Sequence, residues 1–162
     1  MIVLGITGGI GSGKSTVSKI LSVLGIPVYV ADDESKKLTD SSPTIKEKLT
    51  KLFGEELYSD NKLNRTMLAS IIFSDKEKLQ QANSIIHPEV ENHFLQWIEY
   101  HRNKQYPIIA CETAILFESG FNRFTDKSVT VYSPIEIRID RIIKRDTCTK
   151  EKAEDRINSP MP

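Results

Sequence analysis

Apolar positions in the first thirty residues change from a continuous run to a helical spacing and back. Residues 2–6 are almost entirely apolar, which is typical of a strand covered on both faces, as in a parallel sheet. Glycines end this run, and apolar residues then recur at helical spacing up to Gly25, a residue type that favours helix ends: Val17, Ile20, Leu21 and Leu24. Residues 27–30 are apolar again. We therefore predict a strand, a glycine-rich loop, a helix and a second strand.

The stretch from Asp32 to Lys104 has a helical pattern. Three groups of apolar residues each mark one helix face: Ile45, Leu49, Leu52 and Phe53; Leu68, Ile71 and Ile72; and Val90, Phe94, Trp97 and Ile98, with Pro88 near the start of the third helix. This stretch is far longer than one crossover between parallel strands requires, so we predict a helical insertion beside the sheet. The insertion is a candidate for substrate selection.

The last third of the chain returns to alternating strands and helices. Residues 107–112 and 128–132 are predicted strands. The helix that follows has a predicted buried face of isoleucines: Ile135, Ile139, Ile142 and Ile143. Residues 149–157 form a charged helical segment. This alternation predicts an α/β fold with a parallel sheet.

Composition narrows the class of protein. The chain has 162 residues, about the length of one domain, and its 22 basic and 22 acidic residues cancel. Balanced charge and 39% hydrophobic residues are ordinary for a globular protein, so we expect neither a nucleic-acid nor a membrane partner. Cys111 and Cys148 lack the spacing of a disulfide framework or a zinc site. With no recognisable leader or membrane span, we expect a cytoplasmic protein with reduced thiols.

Residues 8–15 read Gly-Gly-Ile-Gly-Ser-Gly-Lys-Ser and fit the phosphate-loop pattern G-x-x-x-x-G-K-[ST]. The motif lies between a predicted strand and an amphipathic helix, where such a loop can point its N–H groups at phosphate oxygens. Lys14 would bring a positive charge to the β and γ phosphates, and the Ser15 hydroxyl would bind Mg²⁺. A dinucleotide-binding turn would disfavour a lysine at position 14. The motif therefore predicts a nucleotide phosphate site.

Three carboxylates follow predicted strands. Asp32 and Asp33 come directly after the second strand and Glu112 ends the third, so a parallel sheet would place them at the edge that carries the phosphate loop. Asp32 is a candidate to orient an acceptor hydroxyl or accept its proton, whereas Asp33 has the alternative role of a helix cap. Glu112 is a candidate Mg²⁺ ligand through water. An acid that closes a strand beside a helix N-terminus also has a structural explanation.

Three arginines recur at helical spacing near the end of the chain. Arg138, Arg141 and Arg145 fall on one helix face, and guanidinium groups suit phosphate. Asp140 and Asp146 in the same segment are also consistent with an ordinary solvated face. The phosphate loop favours the phosphate-binding interpretation.

Further motifs extend this pattern along nearly the whole chain. Besides the phosphate loop and the adjoining Thr16, they are Ala31-Asp32, Leu63-x-Arg65-x-x-Leu68, His87-Pro88, Leu116-Phe117-Glu118 and Arg141-x-x-x-Arg145-Asp146. The loop alone indicates a P-loop nucleotide-binding protein, whereas His-Pro followed by Leu-Phe-Glu is much more selective. Taken together, these motifs resemble those of the dephospho-CoA kinase family.

The resemblance implies a three-layer P-loop kinase fold with a parallel core sheet, a helical acceptor-binding insertion and a small lid. The core would span about 1–31 and 107–146, the insertion about 32–106 and the lid about 147–158. Members transfer the γ-phosphate of ATP to the ribose 3′-hydroxyl of dephospho-CoA, so ATP, Mg²⁺ and dephospho-CoA are the expected ligands. The family continues with a further strand and helix that complete the sheet, and we expect this C-terminal strand and helix to be absent here.

The resemblance also assigns roles to individual residues. Its expected catalytic residues are Asp32, Lys14 and Arg141. Its expected nucleotide-binding residues are Gly9, Gly11, Ser12, Gly13, Lys14, Ser15, Thr16 and Arg145. Its expected acceptor-binding residues are Asp32, Arg65, His87, Leu116 and Glu118. The expected metal ligands, Ser15 and Glu112, come from the phosphate-loop motif and from the end of the third predicted strand. Val30, Asn64 and Arg138 depart from residues common in the family, and none of these departures removes a catalytic group.

Three other functions remain compatible with the phosphate loop. Another small-metabolite or nucleoside kinase is the first, because the loop does not select the acceptor. A GTP-driven switch is disfavoured because Asn103-Lys104-Gln105-Tyr106 has a tyrosine where a guanine-reading motif needs aspartate. The third is an ATP-binding module without turnover.

Overall fold

A computed structural model describes residues 1–73 and 75–158 of the chain. The described residues form two compact units, one made of residues 1–30 and 98–158 and the other of Ala31–Trp97. The elements in chain order are β1 (Ile2–Thr7), α1 (Lys14–Val23), β2 (Val28–Val30), α2 (Ala31–Ser41), α3 (Pro43–Phe53), β3 (Tyr58–Ser59), β4 (Lys62–Leu63), α4 (Arg65–Phe73), α5 (Lys76–Asn103), β5 (Ile108–Glu112), β6 (Lys127–Thr130), α6 (Ile135–Asp146) and α7 (Lys150–Asn158).

The first unit contains a parallel sheet with strand order β2-β5-β1-β6. Ile6, Ile109 and Cys111 are fully buried within it, as expected for strands covered on both faces. The structure thus confirms the predicted α/β class with a parallel core sheet and places Cys111 in the core as a free thiol.

The register of this sheet brings two strand ends together. Glu112, the last residue of β5, lies opposite Ile6 of β1 and opposite Val30 of β2. Because all three strands are parallel, their carboxyl ends lie at one edge, and the phosphate-loop segment leaves β1 at this edge. Helix α1 returns from the loop to contact β1, β2 and β5.

Helices α6 and α7 pack on each other through a small apolar cluster. Ile139, Ile142 and Ala153 are buried there, with Ile10 of the phosphate loop packed against them. The expectation that Ile135 is buried was wrong, since it is 48% exposed. Ile135 is the first residue of α6, and the cluster begins one turn later at Ile139.

The second unit has an apolar core of its own, formed by Ile45, Leu49, Leu57, Leu63, Leu68 and Ala82. Helix α3 begins where the Ser42 hydroxyl accepts a hydrogen bond from the Ile45 N–H, 3.3 Å away, with Pro43 in its first turn. The hairpin of β3 and β4 was missed from the sequence. Its turn residues Asp60 and Asn61 both have positive φ, which is the signature of a two-residue hairpin turn.

Helix α5 differs from the prediction at Pro88. The proline was expected near the start of a helix, but α5 continues through it from Lys76 to Asn103. A proline inside a helix removes one backbone hydrogen bond and crowds the preceding turn. Ala82, Val90 and Phe94 are buried on either side of it, so apolar burial offsets this cost. Within the described residues, no helix combines the length and the apolar character needed to cross a bilayer.

Two leucines of α3 differ in burial, and substituting each of them tests how this helix packs. Leu49 is fully buried, whereas Leu52, expected on the same apolar face, is 41% exposed. We expect Leu49→Ala to lower the free energy of unfolding by about 2–5 kcal/mol because it leaves a cavity, and Leu52→Ala by less than about 1 kcal/mol. Urea unfolding of both variants measures the difference. Equal losses would contradict the packing described for this helix.

Candidate active site

The phosphate loop connects β1 to α1 and has the backbone shape that anion binding requires. Gly13 precedes α1 with φ 108°, a value that side chains disfavour, and no side chain of the described residues caps the helix by a hydrogen bond. Gly8 has φ 145°, and a Cβ there would lie 2.3 Å from the Val131 carbonyl oxygen. The first turn of α1 contains no acidic residue. Its N–H groups and the helix dipole therefore favour an anion at this end.

The carbonyl groups of the loop accept hydrogen bonds from cationic side chains. Lys14 Nζ donates to the carbonyls of Gly8 (2.7 Å) and Gly9 (3.3 Å). Arg141 Nη1 donates to the carbonyls of Gly11 (3.2 Å) and Ser12 (3.1 Å) and to the Ser133 hydroxyl (3.4 Å). Lys14 and Arg141 thus both lie at the loop, as a phosphate site requires.

Glu112 approaches the loop from the neighbouring strand. The Ser15 hydroxyl donates to Glu112 Oε1 at 3.2 Å, and the Glu112 side chain is 5% exposed. Its second oxygen, Oε2, is buried without a hydrogen-bond partner among the described residues. A buried carboxylate oxygen without a partner is costly unless a ligand satisfies it.

A hard divalent cation suits this arrangement. Mg²⁺ prefers oxygen ligands and is bound by one or two protein groups, together with phosphate oxygens and waters. Ser15 and Glu112 supply two such groups beside the phosphate loop. In residues 1–73 and 75–158 no three His, Cys, Asp or Glu side chains cluster as a metal site.

The remaining loop residues assigned to the nucleotide have different surroundings. The Ser12 side chain is buried, and its hydroxyl has no hydrogen-bond partner within the part of the chain that is described. Thr16 is exposed in the first turn of α1, where its N–H donates to the Gly13 carbonyl at 3.0 Å. Ser12 thus has an unused donor within the loop.

Arg145 lies at the end of α6 and pairs with its neighbour. Its Nε and Nη2 bond the two Asp146 oxygens at 2.7 and 2.8 Å, and Arg156 of α7 also donates to Asp146. These hydrogen bonds lower the pKa of Asp146, the one from Arg145 most, and Asp146 in turn raises the pKa of Arg145. The carboxylate thereby links α6 to α7, the segment predicted to act as a lid.

Leu116 and Glu118 follow β5 in the same unit. Leu116 is fully buried, and its Cδ2 would lie 2.8 Å from a Cβ built on Gly5 of the central strand. Glu118 is exposed. Of the two, only Glu118 presents its side chain at the surface of this unit, so any influence of Leu116 on an acceptor is through the position of this segment.

Asp32 lies in the second unit, in the first turn of α2. The first turn of this helix holds Asp32, Asp33 and Glu34, three acids at the end of a helix that favours negative charge. Asp33 and Glu34 pair with lysines one turn later, with Lys36 Nζ 3.5 Å from Asp33 and Lys37 Nζ 2.7 Å from Glu34. Asp32 is exposed. Asp33 and Glu34 therefore each have a lysine partner within this helix.

Arg65 is part of a network inside the second unit. Its guanidinium donates to the Thr39 hydroxyl (3.0 Å), the Lys36 carbonyl (2.8 Å) and Asp40 Oδ2 (2.7 Å). The Tyr58 hydroxyl donates to the Thr39 carbonyl at 2.9 Å, and burial raises the pKa of Tyr58 to about 12, so this donor stays protonated at neutral pH. The network fixes Arg65 in place while its side chain remains 42% exposed.

His87 lies on α5, one residue before the internal proline. It is half-buried, and burial lowers the pKa of His87 below its ordinary value of 6.5. A charged imidazole loses solvation in such surroundings, so the neutral form is favoured. His87 therefore offers a neutral imidazole at neutral pH.

Comparison with known proteins decides the family. The dephospho-CoA kinase family model matches residues 2–162. This chain belongs to the dephospho-CoA kinase family. A Bacteroides fragilis dephospho-CoA kinase is 48% identical over 160 residues, which cover 99% of this chain and 77% of that protein. One from Fusobacterium nucleatum is 39% identical over 162 residues, 99% of this chain and 82% of its own length.

Solved structures agree with this family membership. A Thermus thermophilus protein superposes with a TM-score of 0.85 at 32% identity, covering 99% of this chain and 81% of its own. A dephospho-CoA kinase from Campylobacter jejuni superposes with a TM-score of 0.68 at 25% identity, covering 96% of this chain and 78% of its own. The P-loop kinase fold expected from the resemblance is thereby confirmed.

Two features of this region were not predicted from the sequence. One is the contact of Arg138 with the loop, where Nε donates to the Ile10 carbonyl at 2.8 Å. The other is Asp146 as the shared partner of Arg145 and Arg156. The sequence spacing predicts that Arg138 and Arg145 lie on one helix face. It does not predict which groups they contact, because those contacts come from elements distant in the sequence.

The lowered pKa of His87 predicts a specific pH dependence of stability. Well above pH 6.5 the imidazole is neutral whether the chain is folded or unfolded. As the pH falls, the unfolded chain binds a proton first, so the free energy of unfolding decreases until the pH passes the lowered folded-state pKa. We expect His87→Gln to remove this part of the loss between pH 7.5 and 5, as measured by urea unfolding. An unchanged pH profile in the variant would contradict burial as the cause.

Proposed function

We propose that this chain transfers the γ-phosphoryl group of ATP to the ribose 3′-hydroxyl of dephospho-CoA, which gives coenzyme A. Membership of the dephospho-CoA kinase family supports the reaction and its acceptor. The observation that supports the phosphate end most directly is the glycine loop at the start of α1, with Lys14 on its carbonyls and Ser15 bonded to Glu112. The reaction needs positioning and charge neutralisation more than covalent chemistry from the protein.

The nucleotide end of the reaction belongs to the first unit. Backbone N–H groups of the loop and of the first residues of α1 would surround the β and γ phosphates, because the helix end there has no side-chain cap in the described chain. The Ser12 N–H is used within the loop, where it donates to the Gly9 carbonyl at 3.1 Å. The Lys14 ammonium donates to the loop carbonyls, and a phosphate oxygen is a stronger partner for it than a carbonyl. Lys14 would therefore turn from the loop to the phosphates and neutralise charge there.

Ser15 and Glu112 would hold Mg²⁺ beside those phosphates. Oε2 of Glu112, which has no hydrogen-bond partner among the described residues, can hold the ion through a bound water, and the Ser15 hydroxyl oxygen can bind it directly. When bound, Mg²⁺ neutralises charge on the β and γ phosphate oxygens. Glu112 also holds the Ser15 hydroxyl in place by its hydrogen bond.

Acceptor binding is assigned to residues that the family motifs point to. Asp32 would accept a hydrogen bond, and then the proton, from the 3′-hydroxyl of the ribose as the phosphoryl group arrives. Arg65 and Glu118 provide polar groups for the acceptor, and the neutral His87 imidazole can donate or accept a hydrogen bond. Leu116 would fix the segment that carries Glu118.

Two arginines of α6 would neutralise the moving phosphoryl group. Arg141 uses one Nη group on the loop and retains further N–H donors for phosphate oxygens. Arg145 would leave Asp146 when α7 closes as a lid, since a phosphate competes with that carboxylate. Closure would exclude water and so suppress hydrolysis of ATP.

We place this reaction in the cytoplasm, where both cysteines would stay reduced.

The decisive experiment incubates the purified chain with ATP, Mg²⁺ and dephospho-CoA and locates the new phosphate in the product by NMR. We expect phosphorylation of the ribose 3′-hydroxyl, and no turnover when a chelator removes Mg²⁺. Lys14→Ala should lower turnover by at least about 10²-fold, because it removes a charge that neutralises the transition state.

Two controls make this result specific. Adenosine and other nucleosides offered as acceptors test a broader kinase activity, and we expect them to be poor substrates. Lys19→Ala removes an exposed lysine from the same helix, away from the loop, and should keep turnover within about twofold. Unimpaired activity of Lys14→Ala, or phosphate transfer to a different hydroxyl, would refute the proposed function.

A further inference from the structure

Arg138 makes a contact with the phosphate loop that has no role in the reaction described above. Its side chain is half-buried, and Nε donates to the Ile10 carbonyl at 2.8 Å across 128 residues of sequence. The loop carbonyls on either side of Ile10 are held by other cations, Lys14 at Gly9 and Arg141 at Gly11. Arg138 therefore occupies the middle position of this series.

The Ile10 carbonyl needs a hydrogen-bond donor. Peptide groups that turn their N–H inward toward phosphate turn their carbonyl outward, and Ile10 lies at the middle of such a turn. A carbonyl without a partner in a partly buried position costs free energy and leaves the peptide free to rotate. The hydrogen bond from Arg138 fixes the orientation of the Ile10 peptide before any nucleotide arrives.

The fit between Arg138 and the loop is close on both sides of Ile10. A Cβ at Gly9 would lie 2.5 Å from Arg138 Nη2 and 2.8 Å from its Cζ, so the guanidinium occupies the space above this glycine. A Cβ at Gly11 would lie 2.8 Å from the Arg138 carbonyl oxygen and 3.2 Å from its Cα. Arg138 thus contacts three successive residues of the loop through its side chain and its backbone.

We propose that Arg138 is a positioning residue that holds the phosphate loop open for the triphosphate by its hydrogen bond from Nε to the Ile10 carbonyl. It acts through the loop and not by direct contact with ATP. The inference rests on the ATP site of the proposed function and adds a determinant of nucleotide affinity to it. Because the loop binds phosphates in the ground state and in the transition state alike, the effect falls on the KM for ATP.

Side-chain geometry allows the hydrogen bond and the charge of Arg138 to be separated. A glutamine at position 138 carries its Nε2 on Cδ, the same place that Nε occupies in arginine, so Arg138→Gln keeps the donor and removes the charge. Arg138→Met places a methyl group at that position and removes both. Arg138→Lys keeps the charge on a flexible stem. Lys144→Gln, at an exposed position of α6, removes one charge from the same helix as the matched control.

We expect Arg138→Met to raise the KM for ATP by about tenfold, which corresponds to the loss of one hydrogen bond to the loop. The kcat and the KM for dephospho-CoA should change by less than about twofold. Arg138→Gln should restore most of the affinity, and Lys144→Gln should match the unsubstituted chain. Calorimetry with ATP and Mg²⁺ but no acceptor should give the same order of dissociation constants.

Three outcomes would overturn this proposal. They are an unchanged affinity for ATP in Arg138→Met, rescue by Arg138→Lys but not by Arg138→Gln, and equal loss in all three variants. If Arg138→Met fails to fold, as shown by its thermal unfolding, the comparison of the glutamine and lysine variants still decides the question. If the unsubstituted chain binds ATP but does not phosphorylate dephospho-CoA, the proposed function fails while the calorimetric order still tests Arg138. Failure of the unsubstituted chain to bind ATP would overturn both.

Discussion

Five successive carbonyl groups of the phosphate loop, from Gly8 to Ser12, each accept a hydrogen bond from a cationic side chain. Lys14 holds two of them, Arg138 one and Arg141 two. A carbonyl held in this way fixes the orientation of its peptide. The Ser12 N–H donates within the loop to the Gly9 carbonyl at 3.1 Å, so phosphate oxygens would be bound by the other N–H groups. The cations thus fix the loop and also make its surroundings positive, which favours a bound anion.

The parallel sheet brings the other functional groups of the first unit to the same place. β1 and β5 run in the same direction and end side by side, so the loop after β1 meets Glu112 at the end of β5. Helix α1 begins at this edge and directs its N-terminal end at it, while α6 supplies two arginines to the loop carbonyls. Residues that are far apart in the sequence therefore meet because of strand order and direction.

Much of this arrangement follows from the sequence, for definite reasons. The parallel strands were predictable because buried strands such as β1 have continuous apolar runs, and the phosphate loop because it needs glycines at fixed positions before Lys14. The burial of Leu49 and Ile142 follows from helical spacing. Leu52 and Ile135 are exposed although they share that spacing, because the width of a buried stripe depends on the neighbouring elements. The hydrogen bond from Arg138 to the Ile10 carbonyl was not predictable either, because it depends on which elements pack together.

We propose that backbone N–H groups of the loop bind the phosphates of the nucleotide. The most direct test is to follow the backbone amide NMR signals of residues 9–15 while ATP with Mg²⁺, or adenosine, is added. We expect ATP to shift these signals strongly and adenosine to leave them nearly unchanged, since adenosine has no phosphate. Loop signals that stay in place at saturating ATP, or that respond equally to adenosine, would contradict the account.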